Sequence, residues 1–186
     1  MLINNDTIIK DDNPIIRTRS ENVELPLSKQ DRDLLMDMLK YVDESTIDEI
    51  AQEKNLRASV GISAIQLGIN KKLTAILIKD DEGNKIKEYA LVNPKIVSES
   101  VEKAYLTIGE GCLSVEDEHH GYIFRPKRIK VKAYDALKDE DITIIAQDYE
   151  AIVIQHELDH FKGILFYDHI NKENPFEIQD NATPIE

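Results

Sequence analysis

Two histidines four residues apart, His156 and His160, and the only cysteine, Cys112, are the side chains here best suited to hold a metal ion. The histidines belong to Gln155-His156-Glu157-Leu158-Asp159-His160, inside an apolar stretch with a helical pattern. Positions four apart on a helix share a face, one turn above each other, so both imidazoles can point at one ion. Glu157 lies beside that face, within reach of a water held there but not a ligand itself. Cys112 stands in Glu110-Gly111-Cys112-Leu113-Ser114. A thiolate with two neutral imidazoles makes three protein ligands and leaves a tetrahedral ion one open position, as in a catalytic site. Gly111 leaves room for a substrate backbone, and Ser114 is small. The plainer alternative is a buried cysteine beside a helix that binds nothing.

The third ligand separates the enzymes that use such a helix. A metzincin-type site continues HExxHxxGxxH; here Gly163 is in place but Phe166 occupies the last histidine position. Met1, Met36 and Met38 all lie upstream, so no methionine turn follows the helix. A thermolysin-type glutamate would have to be Glu173, Glu177 or Glu186, in a poorly patterned tail. Both peptidase readings are disfavoured.

The elements that must position these residues read as follows. Ser28 precedes Asp31 in a capping-box-like arrangement, with Leu34, Leu35, Met38, Leu39 and Val42 at helical spacing, predicting a helix over 29–42. Ile47, Ile50 and Ala51 suggest a second short helix. The run 73–79 is apolar and β-branched, and Asp80-Asp81-Glu82-Gly83-Asn84 supplies a turn before an extended stretch over 89–92. Further strands are expected at 95–105, 122–134 and 141–146. Asp148 is the expected N-cap of a helix over 149–162, which Gly163 stops. The fold class is α+β, with antiparallel and mixed sheets packed around the helix that carries HExxH. Residues 1–170 read as one catalytic domain, and 171–186 as an acidic, loosely attached tail.

With 186 residues, 41% of them hydrophobic, the chain is long enough to bury a full core without a disulfide. One cysteine fits a reducing, cytoplasmic setting, and neither a secretory signal nor an apolar run of membrane-spanning length is evident. A net charge of −13 repels DNA and anionic membranes. Lys127, Arg128, Lys130 and Lys132 alternate with apolar residues as on the wet face of a half-buried strand. His119 and His120 read as part of a solvent loop.

Three blocks, Gly61-Ile62-Ser63-Ala64-Ile65-Gln66, Glu110 to Ser114 and Gln155 to His160, resemble in order and spacing the signature motifs of peptide deformylases. Pro14-Ile15-Ile16-Arg17, Val92-Asn93-Pro94 and Gly163-Ile164-Leu165-Phe166 extend the likeness over roughly residues 6–170. The additional residues before Gly61 and the ending Phe166-Tyr167-Asp168-His169 resemble the longer second class of bacterial deformylases. Ser59, Ser63 and Ile65 depart from the Gly, Ala and Pro common in that family.

The resemblance implies removal of the N-formyl group from N-formylmethionyl peptides, with release of formate. It implies Cys112, His156 and His160 as metal ligands and Glu157 as general base, then acid. It also implies the Gln66 amide and the Leu113 N–H as donors to the developing oxyanion. Glu110 would pair with Arg125 to orient the cysteine loop. Val60 and Gly61, with Gly111 opposite, would bind the peptide as an added strand, and Ile152 and Val153 would line the methionine pocket. For Val153 ordinary core packing is an equal alternative. Fe2+ is the implied ion, with Zn2+, Ni2+ or Co2+ also suited to the ligands. The translating ribosome is a candidate partner.

Overall fold

The apolar run at 73–79 is continuous because the strand it forms is covered on both sides. In the computed structural model, which describes residues 1–186, a short strand β1 (Gly61–Ser63) pairs with β2 (Leu73–Lys79), and β2 with β3 (Lys85–Glu99). With β6 (Arg128–Asp135) and β7 (Glu140–Gln147) they make a five-stranded antiparallel sheet in the order β1-β2-β3-β6-β7. Leu73, Ala75 and Leu77 of β2 join one core with α1 (Lys29–Ser45), whereas Ile76 and Ile78 join another with α3 (Asp148–His160). Successive strand residues face opposite sides, so one strand seats both helices. Each fully buried aliphatic side chain contributes about 1.5–3 kcal/mol.

Ser28 Oγ accepts from the Asp31 N–H at 3.1 Å, and α1 begins at Lys29 as expected. A short helix α2 (Asp48–Lys54) follows. The alternation along β6, with Arg128, Lys130 and Lys132 outward and Ile129, Val131 and Ala133 buried, is that of a half-buried strand.

Three local expectations are corrected. The strand expected at 89–92 runs from 85 to 99, carrying Pro94 at an irregularity between Val92 and Lys95 in its pairing with β6. A bulge is where a strand tolerates proline. The stretch 95–105 is therefore divided between β3 and β4 (Lys103–Leu106), and of 122–134 only 125–126 and 128 onward are extended. Asp148 is not a side-chain cap: it has φ +53°, and its N–H donates to the Lys127 carbonyl at 2.9 Å, tying the start of α3 to the chain before β6.

The third difference is the tail. Residues 182–185 form β8, parallel to β4 in a three-stranded sheet ordered β5-β4-β8, where β5 is Arg125–Pro126. The Pro175 carbonyl accepts from the Tyr122 N–H at 2.8 Å, and Phe176 meets Tyr122 edge-on. These pairings bind a segment whose composition alone reads as loose. No helix is long and apolar enough to cross a membrane.

Candidate metal centre

α3 is buried nearly all round. Residues Ala151 to Gln155 and Glu157 to His160 are shielded, and His156, half-buried, faces a cleft. At its C-terminal end Gly163 turns the chain with φ +71°, and the Ile164 N–H donates to the Asp159 carbonyl at 3.1 Å. The cysteine loop crosses this helix after β4.

Donor atoms of Cys112, His156 and His160 lie within 4.8 Å of one another, with Cys112 Sγ 3.5 Å from His160 Nε2. Metal–sulfur and metal–nitrogen bonds of about 2.3 and 2.0–2.1 Å at a tetrahedral angle put sulfur and nitrogen about 3.6 Å apart. The three residues thus fit one ion. His156 Nδ1 lies 2.9 Å from Glu110 Oε2, leaving Nε2 for the metal, whereas His160 Nδ1 is buried without a partner.

Glu110 is held in turn by Arg125, Nε to Oε1 at 2.7 Å and Nη2 to Oε2 at 2.9 Å. Arg125 Nη1 donates to Asp159 Oδ2 at 2.7 Å, and His169 Nε2 lies 2.7 Å from the same oxygen. Such outer contacts fix a ligating imidazole's tautomer and orientation. Burial pushes the Glu110 carboxyl up, but the Arg125 charge and the His156 contact outweigh it and hold it at about 2. Burial likewise acts on Asp159, and His169 and Arg125 bring it to about 2. Burial would raise the Cys112 thiol; the charge of His160 and the contact with His156 hold it well below its ordinary value, toward the thiolate a metal needs.

Glu157 is buried at the wall of the cleft, and burial raises its carboxyl against the opposing pull of His160 and His156. Ser63 Oγ lies 2.8 Å from its Oε2. The Ser63 N–H donates to Gln66 Oε1 at 2.9 Å, so the Gln66 Nε2 points to Cys112 Sγ at 3.5 Å and Ser114 Oγ at 3.1 Å. The Leu113 N–H has no acceptor in the protein.

The cleft has a volume of about 390 Å³. Val60, Gly61, Gln66, Gly111, Cys112, Leu113, Ile152, Val153, His156 and Glu157 all line it, as does Glu110; His160 and the supporting Arg125 do not. Val153 also packs into the α3 core, so both of its readings apply. His119 is stacked on Tyr167 at 4.0 Å, while His120 is exposed. Sequence reasoning missed Asp159 and His169. Asp159 sits inside the HExxH block, but nothing in the pattern shows that Arg125 would reach it.

A cysteine, two imidazoles and a buried carboxylate gathered at an open cleft are the groups that a metal-dependent hydrolase uses. The family model of polypeptide deformylase matches residues 5–176. A peptide deformylase of Oceanobacillus iheyensis is 47% identical over 179 residues, covering 96% of this chain and 97% of the relative. "Peptide deformylase 2" of Bacillus subtilis is 46% identical over 185 residues, covering 100% of both. The crystal structure of a probable peptide deformylase from Synechococcus phage S-SSM7 superposes with a TM-score of 0.68 at 32% identity, covering 88% of this chain and 98% of the other. The chain belongs to the polypeptide deformylase family. Its reaction is hydrolytic removal of the N-formyl group from nascent polypeptides.

Proposed function

We propose that Cys112, His156 and His160 hold the ion and that Glu157, Gln66 and Leu113 carry the deformylation. The observation that carries this reading is the 3.5 Å approach of Cys112 Sγ to His160 Nε2, with the Glu157 carboxylate beside it in the cleft. When bound, a divalent ion supplies a Lewis acid and a water acidified toward neutrality. Glu157 takes a proton at its carboxylate and gives it to the departing amine nitrogen, and its raised carboxyl suits both halves of that exchange. Gln66 Nε2 and the Leu113 N–H donate to the formyl oxygen as charge builds there. Val60, Gly61 and Gly111 bind the peptide backbone along the free edge of β1, and Ile152 and Val153 receive the methionine side chain.

Fe2+ is the working ion in this reading. One thiolate and two imidazoles also accept Zn2+, Ni2+ or Co2+. The substrates are N-formylmethionyl peptides leaving the translating ribosome in the cytoplasm, where a reducing environment suits the Cys112 thiolate. The net charge of −13 counts against DNA as a partner.

The test is formate release from formyl-Met-Ala-Ser by anaerobically prepared protein, with metal content measured and Glu157→Ala in parallel. Release that vanishes in the variant, with metal retained, supports the assignment; turnover in Glu157→Ala overturns the role of that carboxylate. Cys112→Ala should lose metal, and unchanged metal content would overturn the ligand set.

A further inference from the structure

Ser63 is fully buried, yet its hydroxyl does not serve the backbone of its own strand. Its Oγ lies 2.8 Å from Glu157 Oε2, 3.1 Å from the Glu157 carbonyl and 3.3 Å from Thr74 Oγ1. Thr74 Oγ1 donates to the Ile62 carbonyl at 3.0 Å, so its proton is used there and its lone pairs face Ser63. The Ser63 proton has one best acceptor. An ionised carboxylate takes a hydroxyl hydrogen bond about twice as strongly as a neutral carbonyl does, and the contact to Oε2 is the shortest of the three. Glu157 Oε1, by contrast, makes no hydrogen bond to protein, is not sealed from the cleft, and lies against the open side of Gly61.

We propose that Ser63 is a positioning residue for the deformylation: its hydroxyl clamps Oε2 of Glu157 so that the carboxylate presents Oε1 to the cleft in one rotamer. The inference rests on the reading of Glu157 as the proton-transfer group. Without the clamp, the terminal torsion of a glutamate is broad and roughly two-fold, and nothing else in the protein holds Oε2. The same residue's N–H orients the Gln66 amide, so β1 sets both the proton acceptor and an oxyanion donor at one position. The backbone bond is kept in Ser63→Ala. The hydroxyl clamp is not, which makes the two separable by mutation.

The experiment is Ser63→Ala, which removes one oxygen from a buried site and inserts nothing, with Glu157→Ala and the double variant beside it. Loaded proteins are assayed for kcat and KM on formyl-Met-Ala-Ser, for metal content, and for urea unfolding. The expected result is a loss of kcat on the order of tenfold, with KM and metal content within about twofold of the parent. In unfolding, Ser63→Ala should shift the midpoint in the parent but much less in the Glu157→Ala background, because its partner is already gone. A kcat within about threefold of the parent overturns the proposal. So does a loss carried by KM or by metal content, or a midpoint shift as large without Glu157 as with it. Full turnover in Glu157→Ala would instead sink the underlying reading of the carboxylate, whatever Ser63→Ala does.

Discussion

Gly61 and Glu157 are packed so closely that a Cβ on Gly61 would lie 2.6 Å from Glu157 Oε1. The absent side chain is therefore space occupied by the carboxylate. Gly61→Ala should reduce kcat/KM by about a hundredfold through displacement of that carboxylate, since a shift of about 1 Å at a reacting group costs that much. Gly61 does not have a positive φ, so the fold should remain. Steady-state kinetics beside a thermal melt checks this: a melt close to the parent's with the activity lost is the expected pair.

Arg125 is the sole cation joining two buried carboxylates, Glu110 and Asp159, and its side chain is only 4% exposed. Arg125→Met should cost about 3–5 kcal/mol, because Glu110 loses its only guanidinium and is left buried against His156 alone, while Asp159 keeps only His169 and the more distant Lys162. Since Glu110 orients His156, metal affinity should also fall by about 10–100-fold. Urea unfolding measures the first effect and competition with a chelator the second.

The same carboxylates make the metal-free protein acid-sensitive. Glu110 lies at about 2 against an ordinary 4.5, and Asp159 at about 2 against 3.8. Groups depressed by folding add stability that is complete above their unfolded values and is lost as pH falls through the folded ones. The share of stability these two carboxylates supply should therefore be complete above about pH 5 and fall by on the order of 5 kcal/mol toward pH 2. Urea midpoints across that range test it, and the slope should be shallower in Asp159→Asn.

Gly163 ends α3 with φ +71°, and a Cβ there would lie 2.1 Å from the Arg17 carbonyl oxygen. Gly163→Ala meets both a strained backbone and an immovable neighbour, so it should destabilise by about 3 kcal/mol. A drop in the melting temperature of the loaded enzyme is the readout.

If iron is the working ion, dilute peroxide should abolish formate release through the metal and the Cys112 thiolate, while nickel-loaded enzyme keeps it. Paired time courses on the two preparations decide this.

The sequence is most legible where one residue type carries one physical demand. His156 and His160 at helical spacing, Ser28 before α1, and the apolar run of β2 each declare their surroundings directly. Legibility fails where partners are distant in sequence. Asp159 belongs to the metal helix, but its reach to Arg125 and His169 depends on how β5 and the turn after Gly163 meet that helix. Pro94 hides the continuity of β3 because the irregularity that accommodates it arises from pairing with β6. The tail reads as loose for the same reason: Ala182 to Ile185 gain their order from β4, far earlier in the chain.

That parallel pairing also sets the order of assembly. β4 leads into the loop that carries Cys112, and its outer edge is occupied by a strand synthesised long after it. A contact between such distant segments must close a long loop before it repays any of that entropy. During synthesis the metal helix and the cysteine loop can both have emerged while the edge beside them is still bare. The last brace on the cysteine loop is thus a late event in the birth of the enzyme, and until it forms, β4 offers an open edge to any other extended chain nearby.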